Sequence, residues 1–315
     1  MVKIDLITGF LGAGKTTFIR KYAEYLMDKG LSIGILENDY GAVNVDMMLL
    51  QDMSGDNCEL EMVAGGCDYD CHRRRFKTKL ISMGMCGYDR VIVEPSGIYD
   101  VDEFFDVLHE EPLDNWYEIG NVITIVDSKL DNDMSVHSDY MLACQLADAG
   151  SVILSRTKEA DKSDIDNTIV HLNNALKNVR CSRVLDKEII CKDWDTFTEK
   201  DYEKILNSGY VMENYTKLFS QDDEGFQSVY YMNKKFTKDE LQKIIKEVMD
   251  DKKCGNIFRV KGFMKISDNS WIQLNATHNE IRIEPIDKGQ EVIIIIGEEL
   301  DKQRLDKHFN KSQFM

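Results

Sequence analysis

At 315 residues, with 43% hydrophobic residues and a formal charge of −17, the chain has enough apolar sequence for one large domain and a smaller one, each with its own core. The acidic balance argues against a phosphate-backbone partner, so no nucleic acid is expected, and no apolar run approaches the ~20 residues that cross a bilayer. A first strand beginning almost at Met1 leaves no room for a signal peptide, so the expected compartment is the cytoplasm, where the eight cysteines are expected as thiols or metal ligands rather than bridges.

Apolar strand-like runs occur at Val2 to Ile7, Ser32 to Glu37, Glu59 to Val63, Arg90 to Glu94, Val122 to Asp127 and Ser151 to Leu154, mostly separated by helix-compatible segments. That alternation predicts an α/β fold, a mostly parallel sheet flanked by helices. Beyond about Tyr215 the pattern changes. A polar stretch, Gln221 to Glu224, precedes a strand at Phe226 to Met232 and a helix with Leu241, Ile244, Ile245, Val248 and Met249 on one face. Three strand candidates follow, at Ile257 to Ile266, Trp271 to Leu274 with Ile281 to Ile283, and Val292 to Ile296, and then a helix from Glu299. The expected domains are a nucleotide-binding domain over 1–215 and a small α+β domain over 225–315.

The first strand is followed by Gly9 to Thr16, GFLGAGKT, which fits GxxxxGK followed by Ser or Thr, and then by Phe18, Ile19, Tyr22, Ala23 and Leu26 at helical spacing. Strand, loop and helix together predict a P-loop NTPase. Gly12, Ala13, Gly14, Lys15, Thr16 and Thr17 are the expected nucleotide contacts. Backbone N–H groups turn toward the α- and β-phosphates, Lys15 reaches the β/γ-phosphates and Thr16 ligates Mg²⁺. Glu94 ends a hydrophobic strand, where a carboxylate can hold Mg²⁺ or orient the attacking water; the competing reading is an exposed strand-end glutamate. Gly97 leaves its N–H open to the γ-phosphate. Asp46 is either a Mg²⁺ ligand in a switch loop hinged at Gly41 or a cap for Met47 to Leu50. Asp127 closes its strand as polar support or as a solvated end. No arginine finger is assignable, so slow turnover is expected, accelerated by a partner or by homodimer formation.

Taken in order, the phosphate loop, ENDYGAVNVD (Glu37 to Asp46), AGGCDYDC (Ala64 to Cys71), EPSG (Glu94 to Gly97) and the C-terminal FRVKGFMK (Phe258 to Lys265), Trp271 and IIIIGEELD (Ile293 to Asp301) resemble the CobW family of GTPases, allied to UreG and HypB. The resemblance implies a CobW C-terminal-like second domain and a metallochaperone or metal-insertion role, with GTP and Mg²⁺ at the first. Three departures stand out. The family's GCxCC is here Gly66 and Cys67 followed by Asp68, Tyr69, Asp70 and Cys71, and its ETSG has Pro95 in second place. In the place of the guanine-reading NKxD stand Ser155, Arg156, Thr157 and Lys158. An ammonium has donors only and cannot replace the aspartate that accepts from guanine, so relaxed base choice is expected. Ser155 and Arg156 remain candidate base contacts, Arg156 by stacking its stem, and Glu159 or Asp161 the substitute carboxylates.

Cys67 and Cys71 are four residues apart, which on a helix stacks both thiols on one face, with His72 adjacent and Glu37 and Asp39 near the end of the second strand. Cys67, Cys71 and Glu37 are the candidate transition-metal ligands, suited to Zn²⁺ and also to Co²⁺ or Ni²⁺; the alternative is two ordinary thiols beside a turn. The run Arg73, Arg74, Arg75 suits phosphate or an acidic partner better than a neighbouring cation. The other six cysteines read as ordinary thiols. The leading function is a GTPase that delivers metal to a client metalloprotein. The alternatives are a nucleotide-gated activator of a cofactor-dependent enzyme, which needs no metal, and a small-molecule kinase, for which no acceptor motif is visible.

Overall fold

The computed structural model describes residues 1–39, 46–65, 69–131, 133–219, 226–267, 270–278, 280–287, 289 and 291–310. The chain separates into two compact units, Met1–Asp222 and Asp223–Met315. The first runs β1 (Val2–Thr8), α1 (Lys15–Asp28), β2 (Ile33–Asp39), 3₁₀ turns at Asp46–Leu49 and Gln51–Met53, β3 (Cys58–Ala64), α2 (Tyr69–Gly84), β4 (Arg90–Pro95), α3 (Val101–Leu108) and α4 (Leu113–Trp116). It continues through β5 (Tyr117–Asp127), α5 (Val136–Ala147), β6 (Ser151–Ser155), α6 (Lys162–Asn178), β7 (Ile189–Ile190), a 3₁₀ turn at Trp194–Thr196 and α7 (Glu199–Leu206).

Among the described residues these strands form one seven-stranded sheet in the order β3-β2-β4-β1-β5-β6-β7, every pairing parallel. Every residue of β4 and β6 is buried, as expected for strands covered on both faces, and this explains their unbroken apolar runs. Helix α1 packs Phe18, Ile19, Tyr22, Ala23 and Leu26 against Ile7, Ile35, Ile92, Ile123 and Ile153. Each large side chain so buried contributes about 1.5–3 kcal/mol, which holds the phosphate loop between two fixed elements. The two-residue β7 has no counterpart in the sequence reading because it is too short to show a period.

A polar cluster moors the start of β1. The Arg90 guanidinium donates from Nη1 to Asp5 Oδ1 and Oδ2, both at 2.6 Å, Tyr22 donates to Asp5 Oδ2 at 2.8 Å, and the Asn121 backbone N–H donates to Oδ1 at 2.8 Å. Burial and then the Asp5 charge push the Tyr22 phenol well above its ordinary value, which keeps it a donor. Gly120 is required beside it, since a Cβ there would lie 2.3 Å from Asp5 Oδ1.

The second unit runs β8 (Gln227–Met232), α8 (Lys238–Asp250), a 3₁₀ turn at Lys252–Cys254, β9 (Asn256–Ser267), β10 (Ser270–Thr277), β11 (Glu280–Ile286), β12 (Val292–Glu298) and α9 (Lys302–Asn310). Its antiparallel sheet has the order β11-β10-β9-β12-β8. A capping box starts α8, with Glu240 N–H donating to Thr237 Oγ1 at 3.2 Å and Thr237 N–H to Glu240 Oε2 at 2.7 Å. Leu241, Ile244, Ile245, Val248 and Met249 are then buried against the sheet, as the periodicity predicts. Two expectations need correction. The middle strand candidate is two strands, β10 and β11, paired as a hairpin from Trp271 opposite Ile286 to Thr277 opposite Glu280. The last helix starts at Lys302, not Glu299, because Glu299 has φ +49° and Asp301 takes the capping role, its Oδ1 accepting from Arg304 N–H at 3.0 Å. The acidic stretch Gln221 to Glu224 lies outside the described residues, and among those described no helix is long and apolar enough to cross a membrane.

Candidate nucleotide site

The carboxyl ends of β1, β2, β4, β5 and β6 meet at one edge of the parallel sheet, and the strand order reverses at β1, the position where such sheets bind ligands. The phosphate loop leaves β1 here. Gly14, the residue before α1, has φ +98°, and Gly9 has no space for a side chain, since a Cβ would lie 2.2 Å from Ile125 O. Lys15 is only 6% exposed and donates from Nζ to Gly9 O at 3.0 Å, so its ammonium is folded back over the loop where phosphates are expected. Thr16 Oγ1 donates to Glu94 Oε1 at 2.9 Å. This joins the first turn of α1 to the end of β4, and a Mg²⁺ ion fits a hydroxyl and a buried carboxylate held this close. Glu94 is 3% exposed, so the reading of it as an exposed strand end is overturned.

Glu37, also buried, lies in register with Glu94 on the neighbouring strand β2. Two carboxylates are thus adjacent at the end of the sheet. Gly97 presses against the loop: a Cβ there would come within 2.7 Å of Leu11 N. Its carbonyl accepts from Gln145 Nε2 of α5 at 3.0 Å, and Ser96 N–H donates to Asn38 O at 2.9 Å. Any displacement of Gly97 is therefore felt by β2 and α5. Asp46 opens the turn Asp46–Leu49, its side chain outside the described residues, as is the Gly41 hinge. The turn itself is tied to α1 by Arg20, which reaches Leu49 O and pairs with Asp52 at 2.6 Å.

The segment after β6 is held by ion pairs. Arg156 has φ +53°, and its guanidinium pairs with Asp127 Oδ2 at 2.5 Å and donates to Gly12 O at 3.0 Å. It thus braces the phosphate loop, and Asp127 is polar support for it. Ser155 is buried beneath. Lys158 Nζ lies 2.6 Å from Asp193 and 3.1 Å from Asp195, two carboxylates on the loop after β7 that the sequence reading missed. Both hold their protons less tightly than usual because they bond Lys158, with Lys21 the first partner of Asp195. Between them Trp194 packs on Phe18, with ring centroids 5.9 Å apart, and bounds Gly14, whose Cβ would lie 3.1 Å from its Cη2. Asp161, considered above as a substitute base reader, is spent instead as the cap of α6, accepting from Asp164 N–H at 2.8 Å.

Of the candidate metal ligands, Cys67 lies outside the described residues, and α2 is described from Tyr69, so the proposed stacking of Cys67 with Cys71 on one helix has no described counterpart. Cys71 is a half-buried thiol on α2. It borders a cavity of about 580 Å³ with Met62, Arg74, Arg75 and Lys79. His72 is fully buried, with Nδ1 3.3 Å from Gly65 O. The arginine run is not uniformly open to an outside partner: Arg73 and Lys77 both pair with Glu110 at 2.6 Å, and Arg75 donates to Gly65 O at 3.3 Å.

The chain is 27% identical over 173 residues to the zinc chaperone YjiA of Escherichia coli K12, covering 52% of each chain. It is 27% identical over 164 residues to the zinc-regulated GTPase metalloprotein activator 1 of Schizosaccharomyces pombe, covering 50% of this chain and 39% of that protein. The matches thus span about half the length of these relatives or less. Among solved structures, the Zn(II)-bound YjiA GTPase from E. coli aligns over 98% of both chains at 15% identity with a TM-score of 0.38. The hydrogenase maturation factor HypB from Archaeoglobus fulgidus aligns over 65% of this chain and 87% of its own at 16% identity with a TM-score of 0.41. The cobalamin synthesis protein cobW C-terminal domain matches residues 227–313. With the CobW/HypB/UreG nucleotide-binding domain matched over residues 3–183, more than half of its length, the chain belongs to the CobW/HypB/UreG family.

Proposed function

We propose that this protein is a Mg²⁺-dependent, slow GTPase that acts as a metallochaperone or metal-insertion factor, with GTP hydrolysis timing the transfer of Zn²⁺ to a client protein. The observation that carries the reading is the placing of Glu37 beside Glu94 on adjacent strands, with Glu94 bonded to Thr16. One carboxylate serves the nucleotide's Mg²⁺ and its neighbour the cargo metal, so an altered phosphate is sensed one strand away. In this reading Lys15 neutralises the β/γ-phosphates, Thr16, Asp46 and Glu94 hold Mg²⁺, and Gly97 meets the γ-phosphate. Glu37, Cys67 and Cys71 take the cargo, their carboxylate and thiolates forming a Zn²⁺-compatible set. The relatives described as zinc chaperones support Zn²⁺ over Co²⁺ or Ni²⁺.

The test is calorimetric titration of Zn²⁺ into the reduced protein, nucleotide-free and loaded with Mg²⁺ and a non-hydrolysable GTP analogue. A stoichiometric site whose affinity differs between the two states is expected, and the coupling must appear equally in nucleotide affinity measured with and without Zn²⁺. Cys67→Ser should abolish the metal effect and leave nucleotide binding intact; unchanged Zn²⁺ affinity in that variant removes Cys67 from the site.

A second reading, a nucleotide-gated activator without metal transfer, draws on the segment leaving the first unit. Tyr215 donates to Asp102 at 3.2 Å, Lys217 pairs with Asp102 at 2.5 Å, and Phe219 stacks on His137 with centroids 4.4 Å apart. These contacts fall on α3, which follows Gly97, and on α5, which bonds it. Nucleotide-dependent binding of a client by protein stripped of Zn²⁺ would favour this reading.

A further inference from the structure

We propose that Asp251, Cys254 and His308 form a second, exchangeable transition-metal site, for Zn²⁺ or Co²⁺, inside the C-terminal unit. Their ligand atoms all lie within 4.8 Å of one another. This site shares no residue with the nucleotide-coupled cluster proposed above and does not depend on that reading.

The site is built by the junction of two helices. Asp251 follows the last residue of α8, and its Oδ1 accepts from Lys253 N–H at 3.1 Å, which turns the chain so that Cys254 faces inward, fully buried. From the other side, Leu305 and Phe309 of α9 are buried in the core and fix the helix rotation, so that His308 Nε2 comes to 3.1 Å from Asp251 Oδ2. The His308 side chain is only 10% exposed, and its Nδ1 is buried with no hydrogen-bond partner among the described residues. Glu247 Oε2, one turn back on α8, stands 3.6 Å from that nitrogen. Metal-bound histidines orient one ring nitrogen by an N–H bond to a carboxylate while the other meets the metal; Glu247 and the Asp251–Cys254 side are placed for those two roles.

Carboxylate, thiolate and imidazole suit a borderline dication, and three protein ligands leave a fourth tetrahedral position for water or an incoming ligand. Such a site exchanges its metal more readily than a closed four-ligand site. On binding, the Cys254 thiol gives its proton to solvent. Without metal, Arg304 Nε lies 2.7 Å from Asp251 Oδ2 and supplies the local positive charge. A helix staple accounts for Arg304 and for the His308 contacts with Asp251 and Glu247, but does not require the buried Cys254 sulfur beside them.

The test uses the full chain carrying Cys67→Ser and Cys71→Ser, titrated with Co²⁺ and followed by absorption. One equivalent should produce a thiolate-to-metal charge-transfer band and tetrahedral d–d bands. Both should be lost on adding Cys254→Ser or His308→Gln, with far-UV circular dichroism reporting the fold. Arg304→Gln should tighten Co²⁺ binding roughly threefold to tenfold by removing a competing positive charge. A merely structural staple predicts the opposite pattern: no thiolate band, and Arg304→Gln affecting only the unfolding midpoint. Absence of the bands from the starting protein, or their persistence in Cys254→Ser, overturns the site. Should Cys254→Ser not fold, His308→Gln and Arg304→Gln decide the question.

Discussion

The two ends of the nucleotide cleft are built differently. At the phosphate end, Lys15 is 6% exposed, Thr16 and Glu94 are bonded at 2.9 Å, and the loop is braced by Arg156 from behind. At the base end, the Lys158 side chain is 61% exposed and is held by Asp193 and Asp195 from a separate loop. A buried polar arrangement interacts strongly in its low-dielectric surroundings, whereas an exposed ion pair is weak and easily exchanged. The difference teaches that the loop around Lys15 is fixed by burial, whereas the segment around Lys158 rests on a replaceable surface network.

If the phosphate end owes its rigidity to its mooring, the largest effect should come from below it. Asp5→Ala removes the acceptor of Arg90, Tyr22 and Asn121 and strands a buried guanidinium. We expect a loss of about 3–5 kcal/mol in urea unfolding of the nucleotide-free protein. A loss within experimental error would show that the strand is held by its apolar neighbours alone and that the rigidity has another source. Next in size, Lys15→Ala should lower single-turnover GTP hydrolysis about 10²–10³-fold, the scale of removing one charged donor from a developing phosphate charge. Circular dichroism should be unchanged. Equal weakening of GTP and ATP binding by Lys15→Ala would sharpen the separation of the two ends, and a base-dependent effect would break it.

The contrast also decides what could be read from the chain alone. The phosphate loop was legible because its chemistry is local: consecutive residues supply the glycine turn, the lysine and the hydroxyl, and strand and helix periods flank them. Glu94 was legible for the same reason, as the polar end of an unbroken apolar run. The central strands and α8 followed from hydrophobic period. Asp193 and Asp195 escaped notice because they reach Lys158 across a strand of only two residues, Ile189–Ile190, which leaves no pattern. The role of Arg156 depended on φ +53°, which aims its guanidinium at Asp127 and Gly12 and which no propensity of arginine announces. Cys254 reads as an ordinary thiol in the sequence because His308 lies more than fifty positions away, and only the packing of α9 on α8 brings the two together. Local motifs survive in the sequence; constellations assembled by tertiary packing do not.

The smallest expected effect bears most directly on the base end. If the loop after β7 supplies the carboxylate that Lys158 cannot, Asp193→Ala should lower the GTP-over-ATP binding ratio by about tenfold, measured by competition with a fluorescent nucleotide. Lys158→Ala should leave the ratio within about threefold, since it frees the carboxylates without removing them. GDP and ADP should show the same ratios as the triphosphates, because the γ-phosphate is held at the other end. Were Lys158→Ala to change base choice more than Asp193→Ala, the ammonium itself would be the reader, and the acidic loop would serve only to position it. Loss of affinity for both bases alike in Asp193→Ala would instead mean that the loop, through Trp194 against Phe18 and Gly14, supports the phosphate end, and that the two ends are a single unit.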